Sequence, residues 1–218
     1  AAVAWLDSMR FMMRVEVADL SESVAVVWSA DPDVAEPAAL VVRRAADSLG
    51  GAELLVPREQ LETVLGDGPR AGTWAYEARR IAAGVPRTGL DTDARTIPNE
   101  AGLIGVAVHL DKGCYRGQET VARVHTLGRP PRRLALLLLD GSAERLPPVG
   151  APLLLDGRTV GFVGTSARHH ELGAIALGLV KRNVDVDATL LADGIAVAQE
   201  VLVDPEVGLH VRPRLGGR

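Results

Sequence analysis

At Gly128-Arg129-Pro130-Pro131 the patterning of the chain changes. Beyond it come short apolar runs, Leu134 to Leu139, Leu153 to Leu155, Thr159 to Val163, Ala174 to Val180 and Ile195 to Val203. Runs of this length between turn residues read as strands. Asp156-Gly157 and Asp193-Gly194 fall between apolar runs, where a two-residue hairpin turn needs residues that accept positive φ. Closely spaced strands with tight turns make a small antiparallel barrel or a sandwich. We place a domain boundary at this point, giving residues 1–128 and 129–218.

Before the boundary, helical and strand signals alternate. Val3, Trp5, Leu6, Met9, Met12 and Met13 recur near helical spacing, which predicts an amphipathic helix over residues 3–13. Val15-Glu16-Val17 and Val24 to Trp28 predict two strands about a polar turn, and Ser29 to Pro37 a loop. Leu40-Val41-Val42 and Glu53 to Val56 are further strand candidates. Pro57 suits a first helical position, with Leu61, Val64 and Leu65 facing inward and Gly66 ending the helix. A second helix is predicted over about 71–83, stopping at Gly84. The fold class is therefore α+β, a mixed region followed by a β-rich one.

Composition narrows the function classes. The 24 basic and 28 acidic residues give a formal charge of −4, the wrong sign for a protein built to coat nucleic acid or anionic lipid. No apolar run approaches the ~18 residues of a membrane span. The single cysteine, Cys114, cannot form an internal disulfide, which points to a reducing compartment, most simply the cytoplasm. The chain opens Ala1-Ala2-Val3, already reading as the middle of a folded element, and is expected to be an N-terminally truncated piece.

The most unusual local sequence runs from Asp111 to Arg123. Gly113 and Gly117 flank the thiol, letting the backbone turn tightly and approach a ligand closely. From Gln118 onward the residues suit a helix, with Val121 and Val124 facing inward. Cys114 then lies just before a helix N-terminus, whose partial positive charge favours a thiolate, and Lys112 and Arg116 add to it. A lone cysteine serves either as an inert packed residue or as a nucleophile, and spacing leaves both readings open.

Lys112-Gly113-Cys114-Tyr115-Arg116-Gly117-Gln118-Glu119 resembles the signature of YgfZ-type proteins, Lys-Gly-Cys-Tyr-x-Gly-Gln-Glu, at every defined position. The flanks agree: Arg80, Ile81 and Gly84 upstream, Ile97-Pro98-Asn99-Glu100 between, and Arg123 one helical turn after Glu119. The resemblance is strong over residues 70–140 and looser elsewhere. It departs from the family at Ala82, where relatives often carry Glu, and it leaves a preceding portion of the pocket unaccounted for.

The resemblance implies a relative of the glycine-cleavage T-protein, an aminomethyltransferase that uses tetrahydrofolate. Its folate-binding domains are arranged around a pocket and end in a C-terminal β-barrel. It further implies a tetrahydrofolate-binding protein that supports iron–sulfur cluster assembly or repair and, through iron–sulfur enzymes, tRNA modification. The partners implied are folate, iron–sulfur proteins or their assembly machinery, and tRNA-modifying enzymes, with no membrane. Cys114 is then the reactive thiol and Lys112 its cationic neighbour. Glu119 accepts hydrogen bonds from pterin N–H groups, and Arg123 or Arg80 orients it or pairs a carboxylate. Tyr115 and Gln118 join the cofactor site, and Gly113 and Gly117 shape the loop. Such proteins are not established as glycine-cleavage catalysts, so whether a reaction is catalysed is left open. The alternatives are a folate-dependent aminomethyl or one-carbon transferase, and a scaffold that binds tRNA or a tRNA-modifying enzyme.

From Asp111 to Arg133 six basic residues face two acidic ones, either a solvated surface or an anion site for the folate glutamate tail or an RNA phosphate. Arg168-His169-His170-Glu171 reads as a turn or strand edge rather than a metal site, because adjacent strand residues point to opposite faces. Trp74 and Tyr76 could stack on a pterin, but Trp at helical spacing reads first as core. One thiol cannot hold an iron–sulfur cluster, so a cluster would be shared with a partner.

Overall fold

A computed structural model describes residues 2–210. The chain forms two compact units, Ala1–Arg70 and Ala71–Arg218.

In the first unit, β1 (Val24–Ser29), β2 (Val41–Arg43) and β3 (Ala52–Pro57) form an antiparallel sheet in the order β1-β3-β2. The central strand shows why it forms: buried Ala52, Leu54 and Val56 alternate with more exposed residues, and Leu54 and Val56 face one small core with Ala25. The helix predicted over 57–66 is a 3-10 turn, Arg58–Gln60, running into α2 (Leu61–Leu65). Pro57 closes β3 instead of opening the helix. Two expectations fail here. Helix α1 (Ala2–Met9) stops short of residue 13, since Phe11 takes a positive φ, and it buries no residue. Val15 to Val17 form no strand; Val15 stays exposed.

The second unit is built on a closed barrel in the order β4-β7-β6-β5-β8-β9, every pair antiparallel. Its strands are β4 (Arg132–Leu139), β5 (Pro152–Leu155), β6 (Arg158–His169), β7 (Gly173–Lys181), β8 (Leu190–Ala192) and β9 (Ile195–Val201). The expected mixed α+β architecture with a C-terminal antiparallel barrel is what the chain adopts. β4 and β7 are continuous apolar runs because both their faces are covered. Ala135, Leu137 and Leu139 point into the barrel with Leu153 and Val163, while Leu134 and Leu136 point outward against Ala78 and Ile81 of α3 (Thr73–Ala82). The Asp-Gly pairs make the hairpin turns: Asp156 and Gly157 have φ of 49° and 76°, and Asp193 and Gly194 50° and 78°.

Two ionic clamps tie the segment before the barrel to its wall. Asp91, 1% exposed, accepts from four donors. They are Thr165 N–H and Oγ1 on one oxygen, at 2.6 and 2.7 Å, and Arg80 Nη1 and Arg87 N–H on the other, at 3.1 and 2.7 Å. Gly164 makes this approach possible, since a Cβ there would sit 2.2 Å from Asp91 Oδ1. The second clamp is Arg132, whose guanidinium bridges Glu100 and Asp93 at 2.7–3.0 Å. These bonds hold the Asp93 carboxyl well below the usual carboxylate range and push the Arg132 guanidinium further up. Among the described residues no helix is long and apolar enough to cross a membrane.

Candidate functional site

Helix α4 (Gln118–Leu127) begins where Gly117, at φ 85°, turns the chain into it. The loop before it is fixed by one side chain. Gln118 Oε1 accepts from Tyr115 N–H at 3.0 Å, and Gln118 N–H donates to the Tyr115 carbonyl at 3.2 Å. This closes a small ring around Tyr115-Arg116-Gly117 and sets Cys114 just ahead of it. Lys112 Nζ stands 4.5 Å from the centroid of the Tyr115 ring, a cation–π contact.

Loop and helix together line an open cavity of about 570 Å³. From the loop come Leu110, Lys112, Gly113, Cys114 and Tyr115; from α4 come Gln118, Glu119, Ala122, His125 and Thr126. The helical residues follow the spacing of one face, while Val121 on the other side is buried. The Cys114 thiol is free and exposed. The wall therefore offers a thiol, an ammonium, a carboxylate, an amide and an imidazole within one concave surface.

Six of the nine residues singled out in the sequence line this cavity: Lys112, Gly113, Cys114, Tyr115, Gln118 and Glu119. Gly117 shapes the turn, and Arg123 lies exposed on α4. Arg80 is elsewhere, 2% exposed in the clamp with Asp91, Thr165 and Glu77. Leu110, Ala122, His125 and Thr126 were missed, although the helical period counted from Gln118 and Glu119 reaches Ala122, His125 and Thr126.

The other candidates fall outside the cavity lining. Trp74 is not core: it is 90% exposed near the start of α3. Tyr76 is partly buried. His169 ends β6, and its Nδ1 accepts from the N–H groups of Glu171 and Leu172 at 3.2 Å, so the ring caps a turn. Among the described residues no group of three or more His, Cys, Asp or Glu could hold a metal ion. The basic run is dispersed by the fold. Arg129 pairs with Glu206, Arg132 is taken up by Glu100 and Asp93, and Arg133 is buried. Lys112, Arg116 and Arg123 stay exposed on the cavity's loop and helix.

No family model matches the chain. The tRNA-modifying protein YgfZ of Yersinia enterocolitica is 42% identical over 74 residues, 34% of this chain and 22% of that protein. An aminomethyltransferase of Halalkalibacterium halodurans is 30% identical over 143 residues, 66% of this chain and 34% of that enzyme. The chain thus spans about a third or less of the length of these curated relatives. Its fold is that of the aminomethyltransferase T of the glycine cleavage system from Bartonella henselae, with a TM-score of 0.55 and 24% identity over 72% of this chain and 47% of that one. With six of the eight signature residues on the cavity wall, the chain is similar to YgfZ-type proteins and to aminomethyltransferases over the matched residues.

Proposed function

We propose that this chain is the signature-bearing part of a tetrahydrofolate-binding protein that supports iron–sulfur cluster assembly or repair, and through it tRNA modification. The observation that carries the reading is the cavity itself: six of the eight signature residues converge on one concave wall with an exposed thiol. Its volume of about 570 Å³ lies within the range of small-molecule sites. Glu119 would accept from pterin N–H groups, and Arg123, on the same helix, would orient that carboxylate or pair one on the ligand. Arg80, fully engaged with Asp91 and Glu77, would serve the site by holding the segment before it in place. Ala82 removes a carboxylate that relatives often carry, which places more of the recognition on Glu119.

Cys114 would be the reactive group. It precedes a helix of ten residues and shares the cavity wall with Lys112. A bound folate would supply one-carbon chemistry, while the protein's own residues bind and orient it. The cluster is cargo, held between Cys114 and ligands of a partner, since one thiol cannot carry it alone. A single free thiol suits a reducing compartment such as the cytoplasm. A one-carbon transferase is the second reading, favoured by the match to an aminomethyltransferase. A tRNA scaffold is less well supported, because the fold buries or pairs half of the basic run.

The test is a tetrahydrofolate titration beside client-enzyme activity in cells carrying Cys114→Ser. The affinity should stay within a factor of ten, about 1.4 kcal/mol, because a thiol is a poor partner for pterin N–H groups. Support of iron–sulfur enzymes should be lost, since a serine hydroxyl binds soft metals weakly. Full activity from the serine protein would overturn the thiol role. Transfer of a one-carbon unit from a folate donor would favour the transferase.

A further inference from the structure

Arg133 is the second residue of β4 and shares the inward register of Ala135 and Leu137. It is 0% exposed. Its Nη2 donates to Gln199 Oε1 at 2.8 Å and lies 3.4 Å from the Val184 carbonyl. Nε and Nη1, which carry three of a guanidinium's five N–H donors, are also buried and meet no acceptor among the described residues.

Buried Arg80 and partly buried Arg132 are treated differently. Arg80 meets two carboxylates, Glu77 and Asp91, and Arg132 meets Glu100 and Asp93. Burial alone acts on Arg133, pulling its pKa down, and no carboxylate opposes it. A guanidinium keeps its proton in a folded protein, so this charge cannot be shed as a buried lysine sheds its own.

Gln199 shows how this end of the barrel is closed. Its Oε1 faces Arg133, and its Nε2 donates to the carbonyls of Asp185 and Ala188 at 3.0 and 2.8 Å. One amide therefore joins the buried cation to the loop of residues 182–189. On that loop Asp185 Oδ1 accepts from the Asp187 N–H at 3.0 Å.

We propose that Arg133 forms a buried binding site for one small monovalent anion, a halide or a formate-sized carboxylate, held on Nε and Nη1 under the loop anchored by Gln199. The apolar neighbours, Ala135 on the same strand and Val180 across from Arg133, leave a multiply charged anion such as phosphate without the further donors it would need. A guanidinium is weakly hydrated and forked, which suits a single weakly hydrated anion. Because the site exists only in the closed barrel, its occupant stabilises the folded state by mass action.

The experiment is thermal unfolding of the 218-residue chain in sodium chloride, bromide or formate, with gluconate holding ionic strength constant. The melting temperature should rise by a few degrees and saturate, and Arg133→Met should abolish the saturating rise. An equal rise in the variant, or none in the parent chain, overturns the proposal. Should Arg133→Met fail to fold, bromide-soaked crystals of the parent chain decide. An anomalous peak within hydrogen-bond reach of Nε and Nη1 supports the site, and water alone at that place removes it.

Discussion

Glu119 and Gln118 are neighbours at the head of α4, yet the structure gives them different work. The Gln118 amide is spent on Tyr115, within the chain. Glu119 lines the cavity and is exposed, so its carboxylate is available to a ligand. Glu119→Ala should raise the tetrahydrofolate Kd by roughly 10- to 150-fold, about 1.5–3 kcal/mol for charge-assisted bonds, in an isothermal titration. Gln118→Ala should weaken the same binding indirectly, by freeing the Tyr115 N–H and loosening the loop. Faster reaction of Cys114 with a bulky maleimide would report that loosening. Much of this site was legible because a fixed run of eight residues cannot scatter in space. His125 and Thr126 were not, because their place depends on the length of α4 and on which of its faces is buried.

At the scale of elements, strength lies in the two clamps. Asp91→Ala would leave Arg80 with one carboxylate instead of two and strip Thr165 of its acceptor, so it should cost about 3–5 kcal/mol in denaturant unfolding. The second clamp responds to acid. The Asp93 carboxyl is depressed in the folded chain, so the stability it contributes is present in full above the ordinary aspartate pKa of about 3.9. It is lost as pH falls further, toward the lowered folded value. The parent chain should therefore exceed Asp93→Asn in melting temperature at pH 6, with the gap closing as the pH drops below about 3.9. The strands themselves were largely legible, since β4 and β7 announce burial on both faces. β8 escaped because three residues carry no period, and Val15 to Val17 misled because an alternating triplet is a strand only when another strand pairs with it.

The whole molecule divides after Arg70, and the segment Gly66-Asp67-Gly68-Pro69-Arg70 is exposed and rich in glycine. Limited trypsin digestion should cut after Arg70 and leave a resistant product beginning at Ala71, which mass spectrometry would identify. The closed barrel carries a consequence for synthesis on the ribosome. Its seam is the pairing of β4 with β9, which joins Ala135 to Val201. A nascent chain that has displayed β4 to β8 still exposes one long side of β4, with unpaired peptide groups and the leucines of its run. Only when residue 201 clears the exit tunnel can that side be covered. Until then the growing polypeptide is a natural client for a chaperone, and a ribosome stalled before β9 would release a sticky product rather than a smaller stable one.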